Sequence, residues 1–172
     1  MIVTDRLVLR PFRAADLPAF VAYRSEPAVA RYQGWDAGYS VADAEAFLAE
    51  QESAPLGTPG AWTQLAAVDR VDGTLHGDCA VHIGADDPRS AEIGVTFAPA
   101  SQHRGFATEA LTAVLTTLFD DLGVDRVHAE SDDRNDPVRA LLERLGMREG
   151  ARHGAWRVHA VTAREWAARR AT

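Results

Sequence analysis

A mixed α/β (α+β) domain on a central, mostly antiparallel sheet is what this sequence predicts, and three observations predict it. Three apolar runs, 62–68, 75–83 and 91–97, follow one another closely with turn residues between them. After Pro99 the apolar period changes from 2 to 3.6, through Ala107, Ala110, Leu111, Val114, Leu115, Leu118, Phe119 and Leu122. Beyond that helix, strand-like and helix-like segments alternate to the end of the chain. The expectation is one domain over residues 1–172, with about seven strands, a parallel pair near its middle and helices on the flanks.

Residues 6–10 alternate as a short strand that Pro11 breaks, and 16–24 read as a helix with Leu17, Phe20 and Val21 on one face. Ser40 with Asp43 three residues on resembles a capping box, so a second helix is expected over about 41–53. The stretch 54–60 carries Pro55, Gly57, Pro59 and Gly60 and reads as a loop entering the sheet. Asp72 with Gly73, and Asp86 with Asp87 and Pro88, then separate the three runs as an antiparallel meander. The long helix stops at Gly123. A strand is expected over 126–131, followed by a helix with Asp136 as N-cap and Pro137 in its first turn, ending before Gly146. Two strands over 148–152 and 156–162 flank a hairpin at His153 and Gly154, and 163–170 form a last helix.

Composition narrows the function. The 172 residues are 47% hydrophobic and 25% charged, the profile of a globular protein long enough to bury a core. Eighteen basic residues against 25 acidic ones give a net charge of -7, which disfavours a general nucleic-acid binder. Every basic residue is arginine, so chemistry that needs an amine nucleophile or a P-loop lysine is excluded. Cys79 is the single cysteine; it cannot form an intrachain disulfide or a multi-cysteine zinc site, and it reads as a buried apolar residue. The N-terminus lacks a signal-peptide pattern, and no apolar run reaches the length of a membrane span. A cytoplasmic protein without membrane partner or metal is expected.

The informative stretch joins the third meander strand to the long helix. A helix N-terminus offers free amides and the positive end of a dipole, and a glycine there lets a phosphate approach. Gly105 stands at that point, while neither GxGxxG nor GxxxxGK[ST] occurs in the chain. Gln102-His103-Arg104-Gly105-Phe106-Ala107 resembles the pyrophosphate signature Q/R-x-x-G-x-G/A of the GNAT N-acyltransferases. Thr4 to Pro11, Glu92 to Gly94, Ala107 to Ala110, Leu141 to Gly146, Arg148 to Gly150 and Arg164 to Trp166 fall in the order of that family's branch resembling ribosomal-protein N-terminal acetyltransferases (Rim type). The likeness covers nearly the whole chain.

The resemblance implies a GNAT fold and transfer of an acetyl group from acetyl-CoA, as acyl-donor cosubstrate, to an amine by direct attack. It implies that Val95, Thr96 and Phe97 line the pantetheine arm, and that the turn of Gln102, His103, Arg104, Gly105, Phe106, Ala107 and Thr108 holds the pyrophosphate. Asn135 corresponds to an asparagine that meets the CoA arm; ordinary turn chemistry ahead of a helix explains it equally. An alkyl ammonium is mostly charged at neutral pH, so a base or a water chain must help remove its proton. Glu92 is the first candidate, with Asp78, His82, His128 and Glu130 as rivals on neighbouring strands. Trp35, with Tyr32 and Gln33 before the second helix, resembles an acceptor-side aromatic cluster, and packing is the competing explanation for the tryptophan. Arginines between Arg126 and Arg157 are candidates for the 3'-phosphate of CoA.

Two departures from the family pattern bear on mechanism. Where relatives place a serine or tyrosine to protonate the leaving thiolate, this chain has Val138 and Leu142, and neither carries a donor. The connection from Glu149 to Trp156 is short, which implies a more open acceptor pocket. The reading is therefore an acetyltransferase acting on a primary amine of a small molecule or a protein N-terminus, as monomer or homodimer. The alternative is a non-catalytic acyl-CoA-binding or sensing module.

Overall fold

Alternating apolar residues at the start of the chain build its first hairpin. In the computed structural model, which describes residues 1–35, 37–51 and 55–171, β1 (Ile2–Val3) pairs antiparallel with β2 (Leu7–Pro11). Pro11 is the last residue of β2 rather than the residue beyond it, because a strand end tolerates a missing donor. β3 (Trp62–Asp69), β4 (Leu75–Ile83) and β5 (Ser90–Phe97) extend the antiparallel meander. β6 (Arg126–Asp132) joins β5 in parallel, and β7 (Arg148–His153) and β8 (Trp156–Thr162) form the closing hairpin, with β8 against β6. The strand order is β1-β2-β3-β4-β5-β6-β8-β7. The sheet thus has eight strands where about seven were expected; the addition is β1, whose two residues are too few to show a period.

Helices cover both faces. α1 (Leu17–Arg24) follows a 3-10 turn at Ala14–Asp16, so the helix expected from residue 16 begins one residue later. α2 (Pro27–Ala30) is a single turn that the sequence pattern missed, and α3 is Val41–Gln51. The expected last residues of α3, 52 and 53, and residue 54 of the following loop lie outside the described residues. α4 (Phe106–Thr116) widens into a π turn at Thr117–Asp121, and α5 (Asp136–Arg144) and α6 (Ala163–Arg170) complete the set. The N-cap of α5 is Asn135, not Asp136: Asn135 holds the non-helical backbone (φ -91°) and its side chain accepts from the Val138 amide, which puts Asp136 inside the first turn.

Period-2 alternation divides the core into two layers. In β3, Leu65 and Ala67 join Leu111, Leu115, Leu118, Leu142 and Trp166 under α4, α5 and α6. Ala66 and Val68 take the opposite face with Phe12, Phe20, Tyr23 and Ala44 of the α1 and α3 layer. Burial on both faces explains the near-continuous apolar run of β3.

One irregularity positions the site. β5 and β6 are in register only at Ser90 with Arg126, Ala91 with Val127 and Glu92 with His128, although β5 continues to Phe97 and β6 to Asp132. Beyond Glu92 the two strands part, leaving β5 backbone groups on that side free for another partner. β5 stays against β4 because Gly77 admits it: a Cβ there would lie 2.2 Å from the Thr96 carbonyl oxygen.

Candidate active site

The turn between β5 and α4 is built by backbone that most side chains resist. A 3-10 turn at Pro99–Ser101 leads into His103 at φ 59° and Gly105 at φ +81°, both left-handed. The intrahelical pattern of α4 starts with the Glu109 amide on the Gly105 carbonyl at 3.0 Å. The amides of Phe106, Ala107 and Thr108 therefore project from the helix end without an intrahelical acceptor.

Long-range contacts hold this turn. Gln102 Nε2 donates to the Phe97 carbonyl at 2.9 Å, tying the turn to the end of β5. His76 of β4 meets Ser101 Oγ through Nδ1 at 2.9 Å, and its ring stacks on Phe106 with centroids 4.2 Å apart. The Arg6 and Arg104 guanidinium carbons lie 4.4 and 4.7 Å from the Phe106 ring centroid. Glu109 accepts from Thr4 Oγ1 at 2.6 Å and from the Arg6 amide at 2.8 Å. The separate segments Thr4 to Pro11 and Ala107 to Ala110 are thus one contact in space.

Two cavities meet where β5 and β6 part. The first, about 260 Å³, is lined by Val95, Thr96, Phe97, Gln102, His103, Gly105, Phe106, Ala107, Thr108 and Asn135. Every donor-side residue named from the sequence is there except Arg104, which stays outside with its guanidinium near the Phe106 ring. Ala28 and Val29 of α2, with Leu141 and Arg144 of α5, also line it. The sequence reading missed Ala28, Val29 and Leu141, because only the crossing of α2 and α5 over the turn brings them in, and it held Arg144 as one of the arginines between Arg126 and Arg157. Arg134, Arg139, Arg152 and Arg157 are held in ion pairs, whereas Arg144 faces this cavity.

The second cavity, about 490 Å³, shares Tyr32, Gln33, Val95, Thr96, Asn135 and Val138 with the first. It passes through the gap in the sheet. On the α1 side it is lined by Asp78, Glu92, Glu130 and Asp132 with Trp35, Trp62 and Trp156; toward α4 and α5 it is lined by Leu111, Ser131 and Leu142.

These carboxylates have different environments. Glu92, with its side chain 31% exposed, stands 3.7 Å from His128 Nε2 in the parallel register. Asp78 is 1% exposed and is held by Tyr23, Gln64 and, at 3.7 Å, Arg24. Burial raises its carboxyl above the usual range against the pull of Arg24. Asp132 is held at about 2 by hydrogen bonds from Arg134. Glu130 is exposed at the rim. His82 packs against Trp62, with ring centroids 5.1 Å apart, and is not part of the lining.

Trp35 both lines the cavity and packs: its Nε1 donates to the Arg24 carbonyl at 3.2 Å, and the Arg24 guanidinium carbon lies 3.8 Å from its ring centroid. Tyr32 lines both cavities. Cys79 is fully buried in the core, where burial pushes its thiol up, so it is no nucleophile. Among the described residues no three His, Cys, Asp or Glu side chains gather as a metal site, and no helix is long and apolar enough to cross a membrane.

Residues 6–148 match the family model described as the acetyltransferase (GNAT) domain. The chain is 30% identical over 146 residues, 85% of its own length and 81% of the relative's, to the uncharacterized N-acetyltransferase YoaA of Bacillus subtilis (strain 168). It is 26% identical to the uncharacterized N-acetyltransferase YnaD of the same organism, over 96% of this chain and 91% of that one. Its fold is similar to that of a Vibrio cholerae protein proposed as a ribosomal-protein-serine acetyltransferase, with TM-score 0.80, 24% identity and coverage of 94% and 96%. It is also similar to the fold of Vibrio cholerae spermidine N-acetyltransferase in complex with CoA and spermine, with TM-score 0.78, 19% identity and coverage of 94% and 98%.

Proposed function

Because the chain belongs to the GNAT acetyltransferase family, we propose that it transfers the acetyl group of acetyl-CoA to a primary amine of a small molecule or a protein N-terminus. The observation that carries this reading is the junction of two cavities at Val95 and Thr96, where β5 leaves β6. The residues fit an acyl-CoA. Left-handed Gly105 and the free amides of the α4 N-terminus suit a pyrophosphate, Arg144 faces the same cavity, and the unpaired edge of β5 suits an extended, amide-bearing arm. Bound there, acetyl-CoA supplies an acetyl group already activated as a thioester.

The chain's own groups do the rest. Backbone N-H groups on the parted edge of β5 stabilise negative charge developing on the acyl oxygen. Glu92, on the acceptor face two residues before Gly94, takes the proton of the incoming ammonium directly or through water, with His128 beside it. Tyr32 and Trp35 flank the amine's approach, and the open acceptor side accepts either a small amine or a chain terminus. A lone buried Cys79 suits the reducing cytoplasm.

Calorimetric titration with acetyl-CoA, CoA and dephospho-CoA, followed by a thiol-release scan of amines, tests this reading. Stoichiometric binding and amine-dependent thiol release that Glu92→Gln lowers by about a hundredfold or more are expected. A folded protein that binds no CoA species overturns it. Val138 and Leu142 motivate the second reading, an acyl-CoA-binding or sensing module, and binding without release for any amine would select it.

A further inference from the structure

Where the acceptor-side cavity passes through the sheet, its lining includes Ser131, whose buried hydroxyl no fold contact uses. Ser131 is 3% exposed, and its Oγ has no hydrogen-bond partner among the described residues. Buried hydroxyls are nearly always satisfied, and leaving one unpaired costs stability. The register of β6 gives its direction: Val127 and Ala129 belong to the α4 and α5 layer, so Ser131, on the same alternation, faces that side too, while His128, Glu130 and Asp132 take the opposite face, where Glu130 and Asp132 line the acceptor-side cavity. Ser131 lines the same passage as Val95, Asn135, Val138 and Leu142. Val138 and Leu142 are aliphatic; Asn135 Oδ1 caps the Val138 amide at 3.4 Å, which leaves Asn135 Nδ2 as a rival donor. Tyr32 is the rival hydroxyl, half-buried and shared by both cavities, but it comes from the α2 side.

We propose that Ser131 donates a hydrogen bond to the sulfur of CoA as the acyl group leaves, an inference that rests on the acetyl-CoA reading above. In that step the amine nitrogen's lone pair forms the bond to the acyl carbon, and the carbon–sulfur bond breaks with its electron pair going to sulfur. The surplus proton on nitrogen leaves through Glu92 and solvent. Ser131 keeps its own proton and shares it with the thiolate, so an alcohol suffices where no stronger acid stands. The thiolate itself is a tolerable leaving group, and one donor stabilises it further.

The test is the ionisation of bound CoA, followed by its ultraviolet thiolate absorbance across pH in the wild type, Ser131→Ala, Ser131→Thr and Tyr32→Phe. The bound thiol should titrate about one to two pH units higher in Ser131→Ala than in the wild type, with Ser131→Thr restoring it. Turnover of Ser131→Ala should fall about tenfold or more while KM for acetyl-CoA holds. Equal titration in wild type and Ser131→Ala, with CoA bound to both, overturns the proposal alone. A shift seen only in Tyr32→Phe assigns the donor to Tyr32 and overturns it equally. Failure of the wild type to bind CoA overturns the acetyl-CoA reading and this proposal together.

Discussion

Glu109 on α4 and Arg6 ahead of β2 are joined by two hydrogen bonds, from the Arg6 amide at 2.8 Å and from Arg6 Nε at 2.7 Å, across 103 residues of chain. Thr4 Oγ1 adds a third donor to the same carboxylate, and Arg6 Nη1 reaches on to the Arg104 carbonyl at 3.0 Å. The first hairpin therefore clamps the turn that presents the α4 amides. Burial of Glu109 works against its charge, but Thr4 and Arg6 outweigh it and hold the carboxyl below its usual range.

Replacing Glu109 by Ala leaves the Thr4 and Arg6 donors without their acceptor. We expect a stability loss of about 1–3 kcal/mol, read as a lower urea midpoint, together with weaker acetyl-CoA binding. Because the folded carboxyl is the stronger acid, the clamp's pH-dependent contribution is present above the unfolded carboxylate pKa of about 4.3 and is lost as pH falls through the folded value. Unchanged acetyl-CoA affinity in a destabilised Glu109→Ala would separate the clamp from the site.

Gly105 is required by conformation more than by space. Its φ is +81°, whereas an added Cβ would meet the flexible end of Arg6 at 3.3 Å. Gly105→Ala should cost about 1–2 kcal/mol at the turn and weaken acetyl-CoA binding about tenfold. Calorimetry reads the affinity, and free CoA should lose as much as acetyl-CoA, since the acetyl end is remote from the turn.

His76 joins three parts of the same turn. Its carbonyl accepts from the Ala98 amide at 2.9 Å, its Nδ1 meets Ser101 Oγ, and its ring stacks on Phe106. His76→Phe keeps a ring on Phe106 and removes the bond to Ser101. Steady-state kinetics should show KM for acetyl-CoA raised about fivefold with kcat changed less. Equal loss in kcat and kcat/KM, with KM unmoved, would instead place His76 in the chemical step.

Much of this architecture is legible in the sequence, because one-sided burial writes a period into it. The meander, the apolar face of α4 and the last helix, Ala163–Arg170, all follow from spacing. What spacing cannot carry is contact between distant residues. The Glu109 carboxylate reads as an ordinary first-turn acid until Thr4 and Arg6 meet it, and Asp78 reads as one of four rival bases on the strands until α1 brings Tyr23 and Arg24. The α5 cap was misplaced by one residue because Asn135 and Asp136 are both good cap residues and only the backbone chooses between them. Ser131 gave no signal at all, since a serine in a strand becomes informative only when its hydroxyl is found buried and unpaired.

His159 of β8 gives the protein a second acid-sensitive element, separate from the Glu109 clamp. It is fully buried between Ala129 of β6 and Glu149 of β7 in register, and both ring nitrogens lack hydrogen-bond partners among the described residues. Burial lowers its pKa, with Glu149 pulling the other way. The unfolded chain thus takes up the proton more readily than the folded one. Stability is full above the unfolded value of about 6.5 and falls as pH drops through it toward the lower folded value. The urea midpoint of the wild type should therefore decline between about pH 7.5 and about pH 5.5, before the carboxylates titrate. His159→Leu, similar in size and without a proton to gain, should lose most of that decline while folding normally at the higher pH. An unchanged acid limb in this variant would mean that His159 does not carry the pH dependence.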